Sequence, residues 1–389
     1  MNDTPDRGFV VRVLVKALLL FAAANLAWAL LVPAGANAVL GRVSLYNRIF
    51  PGRARFPFGE NPQESYNLSL YNLDAMFASH EVSKGKAVDE YRVVLIGDSS
   101  VWGTLLKPEE TLAGQINAQN LVCAGKTVRA YNLGYPTISL TKDVIILRRA
   151  LGYAPDMLVW PTTLEAFPRE KQLASPLAAN NAGEIPSPPP SPKGEGGKQD
   201  GRTRGSAPTI DNTIIGQRRA LADLLRLQAY GVMWAATGID QAMPETYTPA
   251  AVDLEAEEGY YGLENPHPGP ALRAFGVPEG EGGLAFDVLT AGMEMAEAAG
   301  VPVILVNEPM LISAGENSDV RYNFFYPRWI YDAWREEMHR RAAEQGWPLL
   351  DAWDLLPVSA FTNSAIHLTP AGETTFARQV GAEIARLCP

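Results

Sequence analysis

The chain has 389 residues, of which 47% are hydrophobic and 20% charged, and a formal net charge of −10. This balance fits a packed globular domain, and the acidic charge excludes the basic footprint of a nucleic-acid binder. The two cysteines, Cys123 and Cys388, exclude a disulfide scaffold and a cysteine-based zinc site, and leave the redox compartment and any bridge between them open.

From Phe9 to Val32 the chain is apolar, interrupted by Arg12, Lys16 and Asn25. Ala17–Val32 alone is short for a bilayer span, which takes about 20 residues. Val13–Val15, with Lys16 snorkelling, complete it. Arg7, Arg12 and Lys16 precede the apolar run as in a signal anchor, and Ala36-Asn37-Ala38 offers a small-x-small cleavage site. Residues 1–38 are therefore expected to be a membrane anchor with the rest of the chain extracytoplasmic, or a signal peptide removed near Ala38. Arg42, Arg48, Arg53 and Arg55 on the far side oppose a simple positive-inside assignment and keep a cytoplasmic-facing arrangement open. Residues 39–90, with aromatic and Asn-rich stretches such as Tyr66–Asn72, read as an irregular lead-in.

The main domain is expected over 91–389. Val93-Val94-Leu95-Ile96 is a continuous apolar run ending in Gly97-Asp98-Ser99-Ser100, the pattern of a buried parallel strand entering a turn. Open parallel sheets bind ligands beyond the carboxyl ends of their strands, so Ser99 falls at the reactive edge. Pro108-Glu109-Glu110-Thr111 predicts a helix start. Val128–Asn132 is a second strand, Thr141–Tyr153 an amphipathic helix and Met157–Trp160 a third strand. Such alternation implies βαβ units. A disordered insert is expected at about 174–212, where Pro186–Gly197 is rich in proline, serine and glycine. Ile214–Ile239 reads as an apolar helix bearing Arg218, Arg219 and Arg226, packed on the domain, lying on a membrane or capping the site. After a loop-rich stretch, Leu284–Ala299 is a helix capped by Gly300. Val301–Val306 is a fourth strand, Pro327–Gln345 a helix, Leu349–Trp353 a fifth strand and Pro370–Leu387 a closing helix.

An acyl-transferring serine needs a base within reach and donors aimed at the oxyanion. Of four histidines, His80 precedes the sheet, His267 sits in a Pro-rich loop and His339 lies mid-helix among charges. His367, between the fifth strand and the last helix, shares an edge with Ser99. No histidine–carboxylate spacing points to a metal and no glycine-rich loop follows a strand, so no metal or cofactor is expected.

Gly97-Asp98-Ser99, Asn132-Leu133-Gly134 and His367-Leu368-Thr369-Pro370-Ala371-Gly372 resemble, in order, spacing and strand context, three blocks of the SGNH (GDSL-type) hydrolases. The resemblance covers residues 91–170 and 283–389. It implies an α/β fold, a three-layer α/β/α sandwich on a five-stranded parallel sheet of flavodoxin-like type. It also implies Ser99 as nucleophile, His367 as general base, and the Ser99 and Gly134 backbone N–H groups as oxyanion donors. Two blocks depart from the pattern. The family's oxyanion Asn is missing, and Thr163 falls nearest its place; loss of one such donor costs about 10²–10³ in rate. The Asp that normally precedes the histidine is replaced by Asn363 and Ser364. An Asp-to-Asn change behind a serine-protease histidine costs about 10⁴, so Asn363, Asp351 and Asp354 are the candidates to orient His367. Glu308 and the aromatic, Arg-bearing stretch with Arg321, Tyr322 and Asn323 are candidate substrate contacts. The resemblance implies a serine esterase or acyltransferase acting on O-acyl, chiefly O-acetyl, groups of envelope polysaccharide or lipid, with the membrane reached through the N-terminal helix. The alternative is a catalytically inactive SGNH-like glycan-binding or assembly protein.

Overall fold

Strands that are apolar on both faces belong between two layers of helices. In this computed structural model, residues 7–31, 43–53, 61, 73–78, 80–181, 213–241, 243–244, 246–247, 258–265 and 283–389 are described. The motifs at Ala36–Ala38, Tyr66–Asn72 and Pro186–Gly197, and His267, lie outside them. In chain order the elements are α1 (Arg7–Leu31), α2 (Leu45–Ile49), α3 (Leu73–Ala78), β1 (Glu90–Leu95), α4 (Ser99–Trp102), α5 (Leu112–Ala118), β2 (Val122–Cys123), β3 (Lys126–Asn132), α6 (Leu140–Leu151), β4 (Met157–Thr162) and α7 (Pro176–Asn180). There follow α8 (Ile214–Thr237), α9 (Phe286–Ala298), β5 (Val303–Asn307), α10 (Arg328–Gln345), β6 (Leu349–Asp351) and α11 (Pro370–Arg386), with short 3₁₀ turns between.

Alternate strand residues feed the two layers. Val94, Ile96, Leu158, Trp160 and Leu305 pack with α6, α9 and α10. Val93, Leu95, Val159, Ile304 and Val306 pack with α5 and α11. The sheet corrects the expected five parallel strands. It has six strands in the order β2-β3-β1-β4-β5-β6, and β2 runs antiparallel to β3 while the other pairings are parallel. β2 escaped notice because it is a two-residue arm of a tight hairpin. Its turn places Ala124 at φ 50° and Gly125 at φ 73°, a geometry for which the usual sequence signal is Asn-Gly or Asp-Gly. Within the expected insert, residues 174–181 are described, and α7 there buries Leu177 and Ala178. A disulfide joins Cys123 on β2 to Cys388 just beyond α11.

The helix α1 is apolar and long enough to cross a membrane. A retained anchor and a signal sequence both meet that description.

The turns after β1 and β3 are tied together by Lys142. Its fully buried Nζ donates to Gly97 O at 2.6 Å and Tyr135 O at 3.4 Å, and it pairs with Asp143. Trp160 Nε1 donates to the other Asp143 oxygen at 3.3 Å. Burial lifts the Asp143 carboxyl to about 6, with Lys142 opposing the rise. Removing one partner of a buried ion pair strands the other charge. Lys142→Met is therefore expected to destabilise the fold by about 3–5 kcal/mol, read as a lowered denaturant midpoint. An unchanged midpoint would contradict this role for the clamp.

Candidate active site

The strand β1 ends at Leu95, and the chain turns through Gly97 and Asp98 into α4. The Asp98 side chain caps that turn, accepting from Ser100 N at 2.9 Å. Gly103, at φ 89°, closes the single helical turn. Ser99 is the first residue of α4, so its amide has no intrahelical acceptor. In the parallel part of the sheet β1 lies between β3 and β4, the position at which a doubly wound sheet opens its ligand crevice.

His367 approaches from the loop between β6 and α11. That loop is fixed by Thr362 N donating to His367 O and Thr369 N donating to Ala360 O, both at 2.8 Å. His367 Nε2 lies 2.8 Å from Ser99 Oγ, and His367 Nδ1 lies 3.0 Å from Asn363 Oδ1. With the amide oxygen facing the ring, Nδ1 carries the proton and Nε2 is left to accept from the serine. Burial pushes the imidazole below its ordinary value, while the Asp98 charge opposes the shift. The ring is thus neutral at neutral pH.

The other candidates divide sharply. Asp351 is turned away from His367, bound by Asn307 Nδ2 at 2.9 Å, Arg335 Nε at 2.7 Å and His339 Nε2 at 2.5 Å. Asp354 is exposed on the turn after β6. Of the three proposed orienters, Asn363 alone meets the ring. Gly134 does reach α4: a Cβ there would stand 2.3 Å from Trp102 N, so only glycine permits the approach. Its amide, however, donates to Asn132 Oδ1 at 2.9 Å. Thr163 is buried, and its hydroxyl is hydrogen-bonded to Tyr326 OH.

The four candidate substrate contacts are all buried and hydrogen-bonded within the protein. Asn323 is fully buried; its Nδ2 donates to Leu311 O at 2.8 Å, and its Oδ1 accepts from Phe325 N and Tyr326 N. Arg321 donates to Asn323 O and Phe324 O, closing the same loop. Tyr322 is buried and donates to Asp332 at 2.7 Å. Glu308 is buried beneath the site, where it accepts the Ser100 hydroxyl. Burial raises the Glu308 carboxyl well above the ordinary range, and Asp98, Glu373 and Asp143 add to the rise. Burial likewise lifts Glu373 to about 8. Burial thus favours the protonated form of both acids. Sequence reading missed Lys142, Ser100 and Tyr326 in these roles. The visible signal was a charged pair, Lys142-Asp143, inside an otherwise apolar helical face.

No protein-family model matches the chain, and no curated protein matches it. Among solved structures, a Bacteroides fragilis protein named a "putative acylhydrolase" aligns with 79% of this chain and 93% of its own, at 11% identity and a TM-score of 0.35.

The His367 environment yields a signed expectation. Its imidazole should titrate below 6.5, observed by NMR of ring carbons. Asp98→Asn removes the charge that opposes the shift, so the midpoint should fall further; a rise would contradict the placement of Asp98.

Proposed function

We propose that this protein is a serine esterase or O-acyltransferase of the SGNH type. The observation that carries the reading is the aligned series Ser99 Oγ, His367 Nε2, His367 Nδ1 and Asn363 Oδ1. In this reading His367 takes the Ser99 proton as Oγ attacks the ester carbonyl. The Ser99 amide donates to the oxyanion, and His367 returns the proton to the departing alkoxide. Water or a sugar hydroxyl, deprotonated in turn by His367, then releases the acyl group from Ser99. Asn363 holds the tautomer without supplying the negative charge that an Asp would place behind the imidazolium.

The substrate class proposed is O-acyl, chiefly O-acetyl, ester on envelope polysaccharide or lipid, and the proposed location is extracytoplasmic, tethered by α1. The Cys123–Cys388 bond supports an oxidising compartment. A second reading, a non-catalytic glycan-binding or assembly protein, is favoured by one observation. The Gly134 amide and the Thr163 hydroxyl are both engaged within the protein, leaving the oxyanion with the Ser99 amide as its identified donor.

A serine-directed fluorophosphonate and a small acetyl ester separate the two readings. Labelling and turnover are expected in the wild type, with Ser99→Ala and His367→Ala each lowering turnover by about 10⁴ or more. Folded protein that neither labels nor turns over would favour the binding reading. Asn363→Asp should raise turnover, by up to about 10⁴. It should also move the acid limb of the pH profile upward, because a carboxylate beside the ring stabilises its protonated form.

A further inference from the structure

We infer that α8 and α2 form a platform that lies in the headgroup–acyl boundary of the membrane that α1 enters. The inference is independent of the reaction proposed above.

The geometry starts from a polar residue in an apolar helix. Asn25 is the buried residue of α1, and its Oδ1 accepts the amide of Ile215 in the first turn of α8 at 3.1 Å. Its Nδ2 donates to Phe21 O at 2.9 Å, and Trp28 Nε1 donates to Gln217 Oε1 at 3.2 Å. Asn25 precedes the end of α1 at Leu31 by six residues. At 1.5 Å per residue, α8 therefore starts about 9 Å inside the end of α1. Interfacial helices bury their apolar face to about 5–10 Å. If α1 spans a bilayer, the start of α8 is at that depth.

The outward face of α8 has the matching chemistry. Ile215, Arg218, Ala222, Leu225, Ala229 and Met233 follow the three- and four-residue spacing of one helix face, and all are exposed. Leu225 is 73% and Met233 54% accessible. The one acidic residue of α8, Asp223, is buried and paired with Arg226 at 2.7 Å. The exposed face is thus apolar and cationic in a chain whose net charge is −10. The helix α2 extends it: Gln228 bonds Leu45 N and Val43 O, and Val43, Leu45 and Ile49 are exposed. On the platform side of α1, residues 32–59 carry four Arg and no Asp or Glu, Arg53 of these being paired with Asp240, which suits a surface with anionic headgroups. A contiguous exposed apolar surface marks an interaction site, and the occupant is the bilayer because α1 is hydrogen-bonded to its edge.

The platform also touches the catalytic helix. Trp102, at the far end of α4 from Ser99, packs with Tyr46 and Phe50 and with Ala235 and Trp234 of α8. Ser99 is thereby held close to the membrane surface.

The test uses the full chain reconstituted in phosphatidylglycerol–phosphatidylcholine vesicles. Single cysteines at Leu225→Cys and Met233→Cys, and at Gln379→Cys on α11 as a control, carry an environment-sensitive fluorophore. The native cysteines are bonded to each other. Several-fold stronger quenching by shallow spin-labelled lipid at 225 and 233 than at 379, with loss of iodide quenching, is expected. Iodide quenching at 225 and 233 equal to that at 379 would overturn the inference. Shielding from both iodide and lipid would also overturn it, since a protein partner would then occupy the face. Neither readout depends on Ser99.

Discussion

A buried ammonium group sets the geometry on which the site depends. Lys142 donates to carbonyls on two different turns, Gly97 O after β1 and Tyr135 O after β3. Those turns carry Ser99 and Gly134, so one side chain holds the two segments in register. An unpaired charge in that position would be prohibitive, and Asp143 beside it compensates. Asp143 is anchored in turn by the Trp160 indole on β4. The third strand end is thereby joined to the first two. The arrangement explains why two charged residues interrupt an otherwise buried helix face, a feature that local helix amphipathicity alone would place in solvent.

The legible part of the fold was the part written in continuous apolar runs. The strands over Val93–Ile96, Met157–Trp160 and Val301–Val306 correspond to β1, β4 and β5, with ends displaced by at most three residues. Those runs are buried on both faces, and burial of that kind leaves little freedom of interpretation. The edge hairpin containing β2 was illegible because its turn uses Ala124 where Asn would advertise it. Ser99 and His367 were selected because the one follows a strand end and the other precedes a helix start that the pattern locates, and Asn363 from the position of the Asp in the resembled family. The candidates Glu308, Arg321, Tyr322 and Asn323 were selected by residue type. Composition does not say whether a polar group faces a cleft or bonds within the protein: Arg321 and Asn323 donate to backbone carbonyls, Tyr322 donates to the Asp332 side chain and Glu308 accepts the Ser100 hydroxyl. Only tertiary structure fixes that choice, since buried polar atoms must find partners wherever the chain supplies them.

Asn363 illustrates how much chemistry a tautomer carries and how much it does not. The amide oxygen, like a carboxylate, can accept from Nδ1 and leave Nε2 free for the serine. What it cannot do is offset a positive charge on the ring. The Asp98 charge acts on His367 through space and opposes the effect of burial. Asp98 also caps α4, so the residue that fixes the serine helix is the one that favours the protonated base. Burial raises the Glu308 and Glu373 carboxyls, which disfavours further negative charge beneath it.

The short helix α4 is where these constraints meet. At its first residue, Ser99 faces His367. Along its length, Gly134 allows the neighbouring loop to approach the backbone at Val101 and Trp102, a distance no side chain would tolerate. At its last residue, Trp102 packs against the aromatic cluster of α2 and α8. A single turn of helix has almost no stability of its own, so its position is dictated by what grips its two ends. One end is held by the sheet through Asp98 and the Lys142 clamp, and the other by the helices that lean on α1. Any force that displaces α8 relative to the sheet must therefore act on the turn that presents Ser99. This physical route connects the N-terminal apolar helix to the serine some seventy residues further along the chain.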